Sequence, residues 1–164
     1  MRIRPYQNKD FDIISQWITD ERSHALWCAS LMPYPLEKNS FDALLKEAED
    51  RFGDSPFVAT TNDGQVVGFF CFSVNLHTNE GMLKFVVIDN TMRNKGYGCE
   101  MLKLVIKYAF EIAKADAVHL NVFLENPGAK KCYEKVGFKE RTLTENAFSF
   151  KDESWGRCNM ITTR

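Results

Sequence analysis

"MLKFVVIDNTMRNKGYGCEMLKLVIKYAF", residues 82–110, is the stretch whose reading decides the architecture. Its first seven residues form an apolar run of strand length. From Gly98 onward, Leu102, Val105, Ile106, Ala109, Phe110 and Ala113 recur at helical spacing for three turns. Between them lies a loop with Arg93, Lys95 and two glycines, Gly96 and Gly98. A strand that feeds a helix through glycines leaves backbone N–H groups unpaired at the helix start, where the helix dipole adds partial positive charge. Two readings follow. The loop grips phosphates, helped by Arg93 and Lys95 and by the missing Cβ atoms. Or it is only a turn. It is neither a Walker loop, since G-K-[ST] is absent, nor a full dinucleotide fingerprint, since Met101 stands where the third glycine belongs.

The remaining elements arrange themselves around this unit. "RIRPYQ" is a short strand. Asp10 is expected to cap a helix carrying Phe11, Ile14, Trp17 and Ile18 on one face. The polar and aromatic stretch 21–39 is interrupted by Pro33 and Pro35, which break any helix there. Asn39 or Ser40 opens a second helix with Phe41, Leu44, Leu45 and Ala48 inward. "PFVATT", "QVVGFFCFSV" and "MLKFVVIDN" read as an antiparallel meander joined at "NDG" and "HTNEG". "AVHLNVFL" is a further strand. Asn126 and Pro127 start a helix that Gly137 ends. The tail reads as two strands around a polar turn. The strand–helix–strand piece 82–124 requires two parallel strands and a right-handed crossover within a mostly antiparallel sheet. The class is therefore α+β, a mixed sheet with helices on its faces and no sign of a domain linker in 164 residues.

Composition narrows the function classes. Apolar residues make up 45% and charged residues 26%, a globular balance, and the net charge is −1, which offers no basic excess for nucleic acid. No apolar run is long enough to span a bilayer and the charged start lacks a signal-peptide core, so the cytoplasm is the expected location. The five cysteines, at 28, 71, 99, 132 and 158, include no C-x-x-C, so neither a disulfide framework nor a metal site is expected. Cys71 and Cys132 read as small core residues. Cys99 is either a helix-start thiol or a small residue that permits close packing.

Arg93 to Gly98, "RNKGYG", is similar to the R/Q-x-x-G-x-G/A signature of the GNAT superfamily of acetyl-CoA-dependent N-acetyltransferases. "NPGAKKCYEKVGF", residues 126–138, resembles that family's N-x-x-A-x-x-x-Y-x-x-x-G-F helix. The order of elements matches as well, so the resemblance covers nearly the whole chain. The "LENP" opening and the long C-terminal hairpin look like the branch that holds ribosomal-protein alanine acetyltransferases (RimJ/RimL-like) and spermidine acetyltransferases. The resemblance implies a single-domain fold over residues 1–164, with its sheet splayed between two parallel central strands. It implies acetyl-CoA as cosubstrate, with pyrophosphate on the amides of Arg93, Asn94, Lys95, Gly96, Tyr97, Gly98 and Cys99. The pantetheine arm would pair with Val86, Val87 and Ile88 like an added strand. Asn126 would contact the arm, and Tyr133 would face the thioester sulfur as the catalytic group.

Acyl transfer to an amine needs a neutral amine, aligned reactants and donors for the developing oxyanion. The N–H of Val87 or Ile88 is the oxyanion candidate, and the Tyr133 phenol can protonate the leaving thiolate. For the base, the first strand offers Glu80 and the second His119, on the same strand face as Asn121. A water chain with no dedicated base is the leading expectation. The acceptor, a small-molecule or peptide amine, is expected between the segment holding Trp27, Met32 and Tyr34 and the hairpin holding Phe148, Phe150 and Trp155, whose aromatics either wall in the amine or, the favoured reading for any single one, plug the core under loops. Carboxylates Glu21, Glu145, Asp152 and Glu153 are available to a polyamine. No nucleic acid or membrane partner is expected, and a homodimer is compatible with the sequence. A non-catalytic acyl-CoA sensor of the same fold is the alternative function.

Overall fold

The computed structural model describes residues 1–164. Seven strands form one sheet: β1 (Arg2–Pro5), β2 (Ser55–Thr60), β3 (Val66–Asn75), β4 (Glu80–Ile88), β5 (Ala117–Phe123), β6 (Lys139–Phe150) and β7 (Glu153–Thr163). Their order is β1-β2-β3-β4-β5-β7-β6, and only β4 and β5 run parallel. The crossover between those two is α4 (Tyr97–Lys107), which ends in a π-helical turn, Tyr108–Ile112. The expected α+β class and mixed sheet are borne out. β3 is buried along eight consecutive residues because helices cover both faces of the sheet there, which explains its unbroken apolar run.

Two cores result. On one face, Met101, Leu102 and Val105 of α4 and Ala109 of its π-helical turn pack onto Phe70, Leu83, Leu120 and Val122, joined by Tyr133 of α5 (Pro127–Lys135). On the other, Phe11 and Ile14 of α1 (Phe11–Ile14) and Phe41 of α3 (Lys38–Phe52) cover Val58, Phe69, Cys71 and Val87. Truncating one such fully buried side chain to alanine costs about 2–5 kcal/mol.

Three local expectations change. Asp10 does not cap the first helix from its N-cap position. Its carboxylate instead accepts the Gln7 N–H at 2.8 Å and a two-pronged pair of bonds from Arg4, both 2.8 Å, while the residue is 1% exposed. The first helix is also shorter than its apolar pattern suggests, flanked by 3-10 turns at Asn8–Asp10 and Ser15–Trp17. The stretch before the prolines contains a helix that the sequence reading left out, α2 (Glu21–Cys28). Asp20 caps it by accepting the Ser23 N–H at 2.8 Å, so the capping residue was the readable signal. Pro33 and Pro35 lie beyond its end.

The Asp10 carboxyl is pulled in two directions. Burial alone would raise its pKa, but the bonds from Arg4 and the Gln7 N–H hold it below the usual carboxylate range. Its contribution to stability is therefore present above the unfolded pKa of about 4 and is lost as the pH falls through the folded value. Asp10→Asn should lower unfolding free energy by about 2 kcal/mol at pH 7, and by progressively less as the pH falls below about 4, in urea titrations.

Candidate active site

The β4–β5 ladder runs from Glu80↔Ala117 to Leu83↔Leu120 and stops there. Beyond that pair the strands part, and a cleft of about 620 Å³ opens between them. A β-bulge accompanies the parting. Cys71 pairs with Lys84 and Phe69 with Val87, so Phe85 and Val86 together oppose the single residue Phe70. Phe85 takes φ +51°, left-handed backbone that a phenylalanine rarely adopts. Its carbonyl is held by the Trp27 indole N–H at 2.9 Å, so α2 fixes the bulge from the opposite face. Nothing in "KFVVI" marks this kink: it contains neither glycine nor proline.

Backbone alternation sets what β4 presents to the cleft. The Asp89 N–H bonds back to the Val67 carbonyl of β3 at 2.9 Å. Ile88, one residue earlier, therefore turns its N–H and C=O toward the open β5 side, while those of Val87 face β3. Val86, Val87, Ile88, Arg93, Asn94, Gly96, Gly98, Cys99, Asn126 and Tyr133 all lie on the cleft wall. Lys95 and Tyr97 belong to the same loop but lie outside that wall.

The loop is shaped for an anion. Asn94 (φ +61°) and Gly96 (φ +87°) are both left-handed. The first bond of α4 is Glu100 N–H to Gly96 C=O, 3.0 Å, so the N–H groups of Tyr97, Gly98 and Cys99 precede the helical ladder. Gly96 is required by its φ, since a Cβ there would meet no atom within 4 Å. Gly98 is explained differently: a Cβ would come within 3.3 Å of the Cys132 sulfur. Its smallness thus serves the contact between α4 and α5. Cys99 and Cys132 meet there with sulfurs 3.1 Å apart, and burial together with Cys99 pushes the Cys132 thiol up to about 12. Both are half-buried, so Cys132 is not the core residue expected of it.

Asn126 caps α5 by accepting the Ala129 N–H at 3.3 Å. Seven residues on, Tyr133 is 7% exposed. Burial, followed by the neighbouring Cys132, raises its phenol above the ordinary tyrosine range, so it stays protonated at neutral pH.

His119 and Glu80 do not line the cleft. They belong to a polar network in which Arg141 holds Glu80 at 3.0 Å, Glu80 lies 4.0 Å from His119, and Asn159 bridges His119 and Asn121. Burial and the nearby Arg141 outweigh Glu80 and lower the His119 pKa. The aromatic residues of the hairpin are not an acceptor wall either. Phe150 and Trp155 are buried, and with Phe148 they pack into a small separate core with Ala25. Met32 is buried too, whereas Trp27 reaches the cleft.

The profile of the acetyltransferase (GNAT) family matches residues 6–138. The chain belongs to that family. It is an N-acetyltransferase by the company of its relatives. The L-amino acid N-acetyltransferase AaaT of Escherichia coli is 26% identical over 140 residues, covering 84% of this chain and 82% of that protein. The spermine/spermidine N(1)-acetyltransferase of Bacillus subtilis is 29% identical over 83 residues, 47% of this chain and 55% of that one. Among solved structures, the spermidine N-acetyltransferase of Vibrio cholerae in complex with CoA and spermine superposes with a TM-score of 0.84 at 17% identity, covering 99% of this chain and 94% of that one. At that identity the likeness speaks for the fold alone, in agreement with the family match.

A side chain at position 96 would have to adopt a left-handed conformation that costs about 1–2 kcal/mol. Gly96→Ala should therefore lower the unfolding free energy by about 1–2 kcal/mol, as read from urea titrations.

Proposed function

We propose that this GNAT enzyme transfers the acetyl group of acetyl-CoA directly to a primary amine, both substrates being held in the cleft at once. The observation that carries the reading is the unpaired β4 edge past Leu83, lying between the anion-shaped loop and Tyr133. An extended pantetheine arm can continue the sheet on the free N–H and C=O of Ile88. The loop amides from Arg93 to Cys99 and the Arg93 guanidinium suit a pyrophosphate, with Lys95 contributing charge from outside the wall. Lys131 and Lys135 of α5 add further positive charge along the same wall. Asn126 lies where the arm would pass, its amide N–H₂ free to donate while its oxygen caps the helix.

Between the two oxyanion candidates, alternation favours Ile88, whose N–H faces the opening. Tyr133 supplies a proton to the departing thiolate. Its elevated pKa keeps the donor loaded across the neutral range, and a thiolate released into the same buried site is also destabilised, which preserves the driving force. The attacking nitrogen must first lose the proton of an ammonium that titrates near about 10.4. No carboxylate or imidazole lines the cleft, so we assign that proton to water at the open mouth.

Tyr133→Phe should lower kcat about ten- to a hundredfold and leave the acetyl-CoA KM nearly unchanged. Release of free thiol from acetyl-CoA in the presence of an amine library tests the reaction itself. Tight acetyl-CoA binding with no release on any amine would favour the sensor reading instead.

The water route has its own signature. Glu80→Gln and His119→Ala should each keep most of kcat, and kcat/KM should climb with pH toward the amine's own titration. Were His119 the base, its lowered pKa would put an inflection in the rate below the ordinary histidine range, with a plateau above it. A thousandfold loss in either variant would refute the water route.

A further inference from the structure

The charge of the cleft limits which amine can enter. Of the side chains that line it, the charged ones are Lys84, Arg93, Lys131 and Lys135, and no aspartate or glutamate is among them. Lys131 and Lys135 belong to α5, whereas the Arg93 guanidinium reaches close enough to the start of α2 to help lower the Asp20 pKa. The end of the cleft under α2 is formed by Ile18, Leu26, Trp27 and Phe85 with Ser23 at its edge.

Most carboxylates around that end are already engaged; Glu125, beside Asn126 but off the cleft wall, keeps one buried oxygen without a partner. Asp20 accepts from both the N–H and the hydroxyl of Ser23, at 2.8 and 2.6 Å. Glu21 pairs with Lys151 at 2.8 Å. Glu153 is held by Arg22 and by the Trp155 indole N–H. Asp54 is 2% exposed and binds Lys84 through both oxygens, at 2.9 and 3.0 Å. Glu145 lines a separate depression on the hairpin with Leu143 and Asn146. Trp27 also has little of its ring to spare for a cation: it stacks on Phe41 and meets Phe69 and Phe85 edge-on.

We infer that the acceptor is a monoamine with an apolar flank, and that a second cationic centre on the acceptor is disfavoured. The inference rests on the transfer reading of this cleft. An ammonium carried past the reacting nitrogen into the α2 end would give up its hydration and meet aliphatic and aromatic carbon, with no carboxylate on the cleft wall to offset the loss. A methylene or methyl group in the same place would be covered by Leu26 and Trp27 and would gain from leaving water. This would separate the chain's acceptor from the spermine bound in the Vibrio cholerae complex.

Two amines of the same length test it, n-hexylamine and 1,5-diaminopentane, which differ only in a terminal methyl against a terminal ammonium. With saturating acetyl-CoA and thiol release as the readout, kcat/KM for hexylamine should exceed that for the diamine by about tenfold or more. Leu26→Glu, which places a carboxylate at the α2 end, should narrow or reverse that ratio while leaving the acetyl-CoA KM alone. Equal or better turnover of the diamine or of spermidine by the unaltered enzyme would overturn the inference and leave the transfer reading standing. Release with no amine at all, despite bound acetyl-CoA, would overturn the transfer reading and this inference with it.

Discussion

The cleft depends on one event in the sheet: the parting of two parallel strands after Leu83 and Leu120. Parallel neighbours normally satisfy each other's backbone groups along their whole shared length. Here β4 is bent by a bulge at Phe85 and Val86, and the Trp27 indole holds the bulged carbonyl from the far side. The left-handed Phe85 backbone costs free energy that the flanking β3 ladder and the second core must offset. The result is a row of β4 backbone groups facing an opening. An open edge inside a sheet is a liability unless something pairs with it, and in the proposed function the pantetheine arm is that partner.

The two cores divide the labour around this opening. The α4 and α5 core carries the anion-shaped loop and Tyr133, so both ends of the proposed coenzyme track rest on one packed unit. The α1 and α3 core, with α2 at its edge, supports the bulge and the apolar end of the cleft. Trp27 connects the two roles, since it packs in the second core and bonds the strand that belongs to both. In the proposed reaction, transfer of the acetyl group relies more on placement than on strong acids or bases. The thioester is already activated, and preorganised N–H donors contribute most where charge develops.

Much of this was legible in the sequence, for identifiable reasons. The meander was readable because "NDG" and "HTNEG" separate long apolar runs, and α4 because its apolar residues hold their period for three turns. Gly96 and Asn126 were readable because a left-handed turn and a helix cap admit few residue types, whereas Tyr133 stood out only through the resemblance of its helix to the family motif. What was missed follows one pattern: features set by tertiary contact rather than local preference. The bulge at Phe85 uses ordinary strand residues and exists because Trp27 reaches it. Phe150 and Trp155 could be amine-binding aromatics or core plugs from sequence alone, and contact decides for the plug, since they bury each other. Asp10 resembles a helix cap, but Arg4 lies close enough to claim both its oxygens. Gly98 looked like a glycine for phosphate, and the structure adds a second reason, the sulfur of Cys132.

The central claim is that the open β4 edge receives the coenzyme, and amide hydrogen exchange measured by NMR addresses it residue by residue. Without ligand, the Ile88 N–H faces the opening and should exchange quickly, while the Val87 N–H, turned toward β3, should already be protected. Adding coenzyme A should slow Ile88 exchange by about tenfold or more and leave Val87 little changed. Unaltered Ile88 exchange with coenzyme A demonstrably bound would contradict the account.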